Sequence, residues 1–279
     1  MQNGKPRVTQ KDIARVSGYT VNTVSHALRG KSDISTTTRE KIIAIARDMG
    51  YVGNTLASSL RSGRSNTVAV ILSDVVNPHF GYVVHNSEAR LAESGYSTIV
   101  LCTGDVPGRE MTAVKTAIGH LVDGVLICPG QRSLDPLRLL RRSGVPYVIM
   151  GRQFPEEDNY ALCDDEGGAY LLTESLLALG HRRILYVGGD EAFSSEVERR
   201  AGYRRAMESR GLARLEASFS QYDTLEKTGR LADLVTDSRA TAVFAFRDAM
   251  AWAIIHSLRR RGLRVPEDVS VAGFDYIAE

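Results

Sequence analysis

Residues 9–29, TQKDIARVSGYTVNTVSHALR, contain two short helical patterns on either side of a glycine. Thr9 and Asp12 have the spacing of a capping box, so a helix is predicted to begin after Thr9. Gly18 then provides the permissive backbone that a sharp turn requires. A second helix is predicted over 21–29. Two short helices joined by such a turn are typical of a helix-turn-helix, which presents its second helix to the major groove of DNA.

A third helix completes the predicted N-terminal bundle. Ser35 is a suitable N-cap, and the helix is expected over 36–49, ending at Gly50. Ala14 is small enough for the first two helices to cross closely, and Val24 fills the crossing. The side chains expected to face inward are Ile13, Ala14 and Val16 in the first helix, Val24, Ala27 and Leu28 in the second, and Ile42, Ile43, Ile45 and Met49 in the third.

Charge is distributed unevenly along the 279 residues. The whole chain has a net charge of +2, but residues 1–65 contain eleven Lys or Arg and four Asp or Glu, a net +7, which leaves −5 for the remainder. A polyanion would dock at the positive end. A solvated basic face with no partner is the alternative that charge alone leaves open.

Composition indicates a globular protein that stays in the compartment where it is made. No stretch approaches the ~18 to 20 apolar residues of a membrane span, and residues 1–8 lack the apolar core of a signal peptide. Cys102, Cys128 and Cys163 form no CxxC pair and are odd in number, which fits a reducing compartment. We therefore expect a cytoplasmic protein with no membrane partner.

Beyond Asn66, short apolar runs alternate with helical patterns. This alternation predicts an α/β architecture of right-handed βαβ units and parallel sheets, in two lobes that meet near Asp164. Ligands bind such sheets at the carboxyl ends of the strands. Strands are expected over 68–73, 97–103, 124–128, 146–150, 183–188, 242–246 and 269–274, and helices over 80–94, 134–143, 168–179, 199–210 and 250–261.

Three long stretches resemble the lac repressor family of bacterial regulators. Residues 8–63 begin VTQKDIARVSGYT and end LASSLRSG, residues 163–189 read CDDEGGAYLLTESLLALGHRRILYVGG, and residues 265–275 read VPEDVSVAGFD. Matches of this length are far more specific than a motif of three residues. The resemblance extends over essentially the whole chain.

That resemblance implies a domain organisation. It implies a helix-turn-helix headpiece at 1–53, a hinge helix and linker at 54–65, and an effector domain with lobes at 66–163 and 164–279 that is similar to periplasmic sugar-binding proteins. Members of the family usually continue for about fifty residues beyond the position of Glu279. The effector domain is therefore expected to be truncated at its C-terminus, and the chain is either a fragment or a shortened protein with exposed sheet edges.

The resemblance also implies which headpiece side chains contact DNA. Val21, Asn22 and His26 match positions that read base edges: Val touches a thymine methyl, Asn pairs with adenine and His donates to a guanine acceptor. His26 stands where the family more often has Arg, which leaves the operator base at that position open. Phosphate contacts are expected from Thr20, Thr23, Ser25 and Ser35. For each of these hydroxyl groups, ordinary helix capping or solvent exposure is the alternative.

A short segment, NTLASSLR at 54–61, follows the headpiece, with Asn54 as a suitable N-cap. An isolated helix of this length is not stable in water. In the family that it resembles, the segment folds only when paired with its twin on DNA, where a leucine enters the minor groove. Leu60 matches that leucine and Ala57 lies beside it, so Asn54, Ala57 and Leu60 are counted as DNA contacts. The alternative is that Leu56 and Leu60 pack on the headpiece.

For the effector site, the resemblance points to residues after the strands of both lobes. Arg199 and Asp275 match the positions that bind the effector. The planar guanidinium of an arginine donates hydrogen bonds and the carboxylate of an aspartate accepts them, a pair that suits vicinal hydroxyls or a carboxylate. Arg247 falls where the family commonly has Asn, and a cation there either recognises an anionic effector or closes the pocket. The opposite wall is expected from Asp74, Asn77 and Phe80, with strand termination and helix capping as the alternative for the first two and core packing for the third.

No metal and no cofactor is expected. Residues 164–166 are acidic, but consecutive loop residues rarely converge on one ion, and the six histidines have no HxH or HxxxH spacing. An enzyme is the first alternative, because parallel α/β sheets often carry catalysis. The chain has no GxGxxG after its first strand, no GxxxxGK[ST] and no GxSxG. A periplasmic binding protein would need a signal peptide in place of the basic headpiece.

The sequence thus predicts a sequence-specific, DNA-binding transcriptional regulator, a repressor whose operator affinity is controlled by a small effector, namely a sugar or sugar derivative. A homodimer on palindromic double-stranded DNA is implied, because one headpiece makes too few contacts for operator selectivity and the hinge helix needs a partner. Effector closure of the two lobes would alter the spacing of the paired hinges, and through it the operator affinity.

Overall fold

The computed structural model of the chain describes residues 8–53, 63–106, 108–130, 133–219 and 228–275. The chain divides into two compact units, 1–63 and 64–279. Each unit has its own core, and each is described by itself below as the N-terminal unit and the C-terminal unit.

The described part of the N-terminal unit is a bundle of α1 (Gln10–Ser17), α2 (Val21–Leu28) and α3 (Thr36–Asp48). The predicted capping box at Thr9 and Asp12 is present, and Gly18 ends α1 in the left-handed conformation with φ 75°. Ile13, Val24, Ala27, Ile42 and Ala46 form the buried core, against which Ala14, Leu28, Ile45 and Met49 pack in part. The predicted helix-turn-helix is therefore confirmed.

Two side chains that were expected in this core are exposed instead. Val16 is 57% exposed and Ile43 is 38% exposed. Successive residues of an α-helix are about 100° apart around its axis, so Ile43 cannot face the same side as its buried neighbour Ile42. In so small a bundle each helix buries only a narrow stripe, and α1 uses Ile13 for it, which leaves Val16 at the side.

The first sheet of the C-terminal unit is wholly parallel, in the strand order β2-β1-β3-β4-β5. Its register pairs Val68 with Gly124 and Val125 with Tyr147. The elements in chain order are β1 (Thr67–Leu72), α4 (Pro78–Glu93), β2 (Ser97–Cys102), α5 (Arg109–Gly119), β3 (Gly124–Ile127), α6 (Asp135–Arg142), β4 (Tyr147–Met150) and β5 (Tyr160–Ala161).

The second sheet repeats this pattern in the strand order β7-β6-β8-β9, again with all strands parallel. Its elements are α7 (Asp165–Ala178), β6 (Ile184–Gly188), α8 (Ser194–Ser209), β7 (Leu215–Ser218), α9 (Thr228–Asp237), β8 (Ala242–Ala245), α10 (Asp248–Arg260) and β9 (Ser270–Ala272). We call the part of the unit built around the first sheet the first lobe and the part built around the second sheet the second lobe. The predicted boundary between 163 and 164 falls between the two sheets.

Alternation along the strands explains why helices cover both faces of each sheet. In β1, Ile71 packs in the cluster that includes residues of α5 and α6, whereas Leu72 packs on the other face with Phe80 of α4. In β6, Val187 and Tyr186 divide in the same way between the α9–α10 side and the α7–α8 side. The predicted parallel α/β architecture is confirmed.

Two strands and two helices were not among the predicted elements. β5 is only two residues long, and β7 reads LEAS, which lacks a continuous apolar run because it lies at the edge of its sheet. The helix α5 does bury an apolar stripe at Ala113, Val114 and Ala117, so its periodicity was available in the sequence. The helix α9 was also missed.

Candidate functional site

The first candidate surface is the exposed side of α2. Thr20 caps this helix, since its hydroxyl oxygen accepts from the backbone N–H of Thr23 at 3.1 Å and lies 2.9 Å from the Thr23 hydroxyl. Val21 and Asn22 follow in the first turn, and both side chains are exposed. The surface therefore offers an apolar group and an amide side by side at the start of a capped helix, while Val24 and Ala27 face the core.

His26, one helical turn further along, is held by a neighbour that the sequence did not reveal. Its Nδ1 atom lies 2.6 Å from Oδ2 of Asp33, in the segment between α2 and α3. The side chain of His26 is 20% exposed and that of Asp33 is 54% exposed. The hydrogen bond with His26 lowers the pKa of Asp33 below its ordinary value. The contact restricts the orientation of the imidazole ring.

The hydroxyl groups expected at phosphates have different surroundings. Ser35 is exposed and caps α3 by accepting from the backbone N–H of Thr38 at 3.3 Å. Ser25 is buried at 6% exposure, and its oxygen accepts from Nη2 of Arg29 at 2.7 Å. A side chain so enclosed cannot reach a phosphate without rearrangement, so the expected phosphate contact of Ser25 is corrected to a packing role. The predicted DNA contacts Asn54, Ala57 and Leu60 lie outside the described residues.

The second candidate site is a cleft of about 1070 Å³ in the C-terminal unit. It lies next to β1 in the first sheet and next to β6 in the second, where the chain switches from one side of the sheet to the other. Ligand sites of doubly wound sheets occur at such switch points. Both lobes contribute loops that follow the carboxyl ends of strands. The predicted site residues that line the cleft are Asn77, Phe80, Arg199, Arg247 and Asp275.

Arg199 occupies the centre of a polar network on the second lobe. Its Nε donates to Oδ1 of Asp165 at 2.7 Å, its Nη1 to the carbonyl of Phe246 at 2.7 Å, and its Nη2 to Oδ1 of Asp275 at 3.3 Å. The guanidinium carbon lies 3.8 Å from the ring centroid of Phe274. Two carboxylates and an aromatic face thus hold the Arg199 guanidinium in one orientation.

Asp275 is an unusual residue in two respects. Burial raises the pKa of its carboxyl, and the nearby charge of Arg199 opposes that shift. Its backbone φ is 104°, in the region that favours glycine, so the conformation is strained. Strain that surrounding structure maintains is found preferentially at ligand sites, and Asp275 lies at one wall of the cleft.

Asp74, Asn77 and Phe80 do not form the continuous opposite wall that was expected. Asp74 is absent from the lining, and its Oδ1 accepts from the backbone N–H of Val76 at 2.8 Å, which makes a turn after β1. Asn77 lines the cleft and also caps α4 by accepting from the N–H of His79. Phe80 lines the cleft while its ring packs on Leu72. The expectation for Asp74 is therefore corrected.

The sequence did not single out Arg152, Asp165 or the phenylalanines that surround the arginines. Arg152 follows the apolar strand β4, a position at which a strand-end rule would have found it. The acidic run 164–166 was not predicted to contribute site residues, because consecutive loop residues rarely converge on one ion. In the structure its three carboxylates contact different groups. Asp164 caps α7, Asp165 binds Arg199, and Glu166 binds Arg205. Within the described ranges, no group of three or more candidate ligands converges on a metal position.

Across the described residues, no helix combines the length and the apolar character that a membrane crossing requires.

Two protein-family models match this chain, one in each unit. A family model described as bacterial regulatory proteins, lacI family, matches residues 9–54, and one described as a periplasmic binding protein-like domain matches residues 173–279. The transcriptional regulator DegA of Bacillus subtilis (strain 168) is 31% identical over 96% of this chain and 82% of its own length. The regulator CelR of Thermobifida fusca is 35% identical with the same coverage, and the repressor PurR of Vibrio campbellii is 32% identical.

Solved structures show the same architecture. A lac repressor dimer bound to operator and an anti-inducer has a TM-score of 0.82 at 24% identity, covering 96% of this chain and 82% of that one. At this identity the likeness concerns the fold alone. A complex of the regulator CelR with cellobiose has a TM-score of 0.66 at 30% identity, covering 97% of this chain and 83% of that one.

These relatives are named as transcriptional regulators, and the identity with them spans the helix-turn-helix and the cleft-bearing unit together. The chain is therefore a DNA-binding transcriptional regulator with an effector-binding unit, and it belongs to the lacI family of bacterial regulatory proteins.

Proposed function

We propose that the chain is a repressor that binds a palindromic operator as a homodimer in the bacterial cytoplasm, and that a sugar or sugar derivative in the cleft controls this binding. It is not an enzyme. The observation that carries the proposal is the presence, in one chain, of a capped helix that exposes Val21 and Asn22 and of a cleft in which Arg199 and Asp275 are held together.

The DNA contacts follow from the exposed side of α2. Asn22 pairs with an adenine and Val21 touches a thymine methyl, because these are the contacts that an amide and a branched apolar group make in the major groove. His26 contacts the neighbouring base pair. Phosphate contacts come from Thr20, Thr23 and Ser35, and the segment 54–65 contributes Asn54, Ala57 and Leu60 at the operator centre.

The chemistry of the cleft supports a polyhydroxylated effector. Arg199 is a planar donor and Asp275 an acceptor, and sugar hydroxyls are both donors and acceptors. The rings of Phe246 and Phe274 line the same cleft and offer apolar surface to a sugar ring. A related regulator, CelR, has been solved with the disaccharide cellobiose, which is consistent with this class of ligand.

Control of DNA binding follows from linkage between the two sites. An effector that contacts both lobes stabilises the closed cleft. Closure changes the spacing of the paired hinge segments 54–65, and through it the spacing of the headpieces 1–53 on the two half-sites. The lobes proposed for this motion are 66–163 and 164–279.

Genomic footprinting of the purified full chain, with and without a panel of sugars, tests the proposal. We expect protection of palindromic sites at low ionic strength and a change in protection with one member of the panel. An Arg199→Lys variant should keep the footprint and lose the sugar response, since Lys cannot make the three hydrogen bonds that hold Asp165, the Phe246 carbonyl and Asp275 in place at the cleft. Equal affinity for every duplex, or a sugar response that survives in Arg199→Lys, would contradict the proposal.

A further inference from the structure

Arg199 does not offer an uncompensated positive charge to a ligand in the cleft. Its Nε, Nη1 and Nη2 atoms all donate to protein acceptors, and both carboxylates in this network, Asp165 and Asp275, are engaged by it. The ion pairs place one cation between two anions. An effector group that approaches Arg199 therefore meets a site whose charge is already compensated.

Arg152 is different, because part of its guanidinium has no partner. It follows β4 on the first lobe, is 8% exposed and lines the cleft. One face stacks on Phe193 of the second lobe, with 3.6 Å from the guanidinium carbon to the ring centroid. Its side chain donates to the Cys128 thiol, but Nη1 makes no hydrogen bond to any residue in the described ranges. A buried N–H donor without an acceptor is costly, and bound ligand is one way to satisfy it.

Arg247 presents a second cation from the other lobe. It follows β8, lines the cleft, and is the N-cap residue of α10 without a side-chain hydrogen bond to the first turn of that helix. Burial lowers the pKa of its guanidinium, and the charges of Arg152 and Arg199 lower it further, whereas Asp275 and Asp105 oppose the shift. Arg152 and Arg247 therefore line one cleft from different lobes.

We infer that the effector carries an anionic group, a carboxylate or a phosphoryl group, and that Arg152 and Arg247 bind it from opposite lobes. The inference rests on the proposed effector function of the cleft and narrows its ligand to acidic sugars. Both residues are planar donor forks of the kind that bind carboxylates and phosphates in bidentate fashion.

An anion fits this position better than a neutral hydroxyl for an electrostatic reason. A hydroxyl would satisfy an N–H group but would add no negative charge opposite the two arginines as the cleft closes and water leaves. An anion adds an attraction to each lobe. The charges of Asp275 and Asp105 offset that of Arg247 in part, but the Nη1 atom of Arg152 still has no acceptor among the described residues. Attraction of the ligand charge to both lobes would thus also stabilise the closed cleft.

The test compares matched neutral and acidic sugars on the full chain at constant ionic strength. The probes are glucose against glucuronate and glucose 6-phosphate, and galactose against galacturonate, with inorganic phosphate alone as a further arm. Trp252 is the only tryptophan of the chain and lines the cleft, so its fluorescence reports binding, and calorimetry gives Kd. Operator affinity is measured in the same samples.

We expect at least one acidic sugar to bind at least tenfold more tightly than its neutral parent. Arg152→Gln and Arg247→Gln should each remove about tenfold or more of that preference, and Arg152→Lys and Arg247→Lys should restore part of it because the charge returns. The matched control is Arg214→Gln, a half-exposed arginine paired with Glu208 away from the cleft lining, which should leave binding unchanged.

Each other outcome overturns the inference. A neutral parent that binds as tightly as its acid, or no acidic sugar bound up to millimolar concentration, would show that the cleft does not select an anion. Full binding by inorganic phosphate, with no gain from the sugar, would identify a free-anion site. If the wild type still binds its operator and responds to a neutral sugar in these cases, the proposed function is retained and only the inference of an anionic effector is wrong. If the wild type shows no preference for an operator, the proposed function itself is wrong.

Discussion

The Nδ1 atom of His26 lies 2.6 Å from Oδ2 of Asp33, so a carboxylate from the α2–α3 segment holds an imidazole on the helix that we assign to the major groove. Asp33 is seven residues from His26 along the chain, and the turn of the bundle brings them together. A negative charge near a DNA-binding surface opposes phosphate binding in general. If His26 makes the proposed base contact, Asp33 positions its ring at the expense of a local negative charge.

Asp33→Asn should therefore relax base selectivity where His26 contacts the operator. We expect discrimination at that base pair to fall by about 1 kcal/mol, while affinity for random duplex rises slightly because a negative charge is lost. Fluorescence anisotropy with single-base operator substitutions measures both quantities. Asp48→Asn removes the same charge at the exposed end of α3 and is the matched control. Identical selectivity profiles for the two variants would refute a positioning role for Asp33.

Asn22→Ala should cost about 1 to 3 kcal/mol at one base pair of the operator and hardly change affinity for random DNA. The reason is that the Asn22 amide, which we propose to read a base edge, is exposed on α2 and is not part of the core. Competition binding with systematically substituted operators provides the measurement. Uniform weakening on all sequences would instead indicate a phosphate contact.

Salt should weaken operator binding steeply, because phosphate neutralisation by the positive residues of 1–65 releases counterions. With about six phosphate contacts per dimer, affinity should fall roughly a thousandfold between 50 and 200 mM salt. A titration in sodium chloride gives the slope. A flat dependence would mean that the basic segment is a solvated surface with no polyanionic partner.

Gly202→Ala should destabilise the C-terminal unit by about 1 to 3 kcal/mol or more, because the backbones of α7 and α8 leave no space for a Cβ atom at this residue. A Cβ atom there would lie 2.2 Å from the carbonyl oxygen of Glu166 and 2.8 Å from the amide nitrogen of Tyr170. Urea unfolding followed by Trp252 fluorescence reports this unit. The control Gly119→Ala, at the end of α5 with open space around it, should be neutral or stabilising. Equal effects of the two substitutions would argue against close helix packing.

Arg200→Met should destabilise the same unit by about 3 to 5 kcal/mol, since it leaves the carboxylate of Glu196 buried without its cation. Glu196 is fully buried and Arg200 donates to it twice, at 2.8 and 3.1 Å. The matched control Arg204→Met breaks a more exposed pair with Glu216 and should cost less than about 1 kcal/mol. The urea midpoints of the two variants measure the loss of unfolding free energy. A small loss for Arg200→Met would show that water or other donors satisfy Glu196.

Much of the N-terminal unit was predictable because its determinants are local. The capping box at Thr9, the left-handed turn at Gly18 and the caps at Thr20 and Ser35 act within three residues of themselves. All described strands of the C-terminal unit except β5 and β7 were likewise visible as apolar runs. By itself, then, the amino-acid sequence determined the helix-turn-helix and the parallel α/β class, through short-range hydrogen bonds and the periodicity of apolar residues.

Only the tertiary structure decided which polar groups meet. Asp165 and Arg199 are 34 residues apart, and Arg199 and Asp275 are 76 apart. Arg152 and Arg247 come from different sheets. Their convergence depends on strand order and on the pairing of two lobes, which no local pattern encodes. The physical reason is that a side chain's charge and hydrogen-bonding capacity are intrinsic to its residue, whereas burial and the identity of its partners arise when distant segments pack.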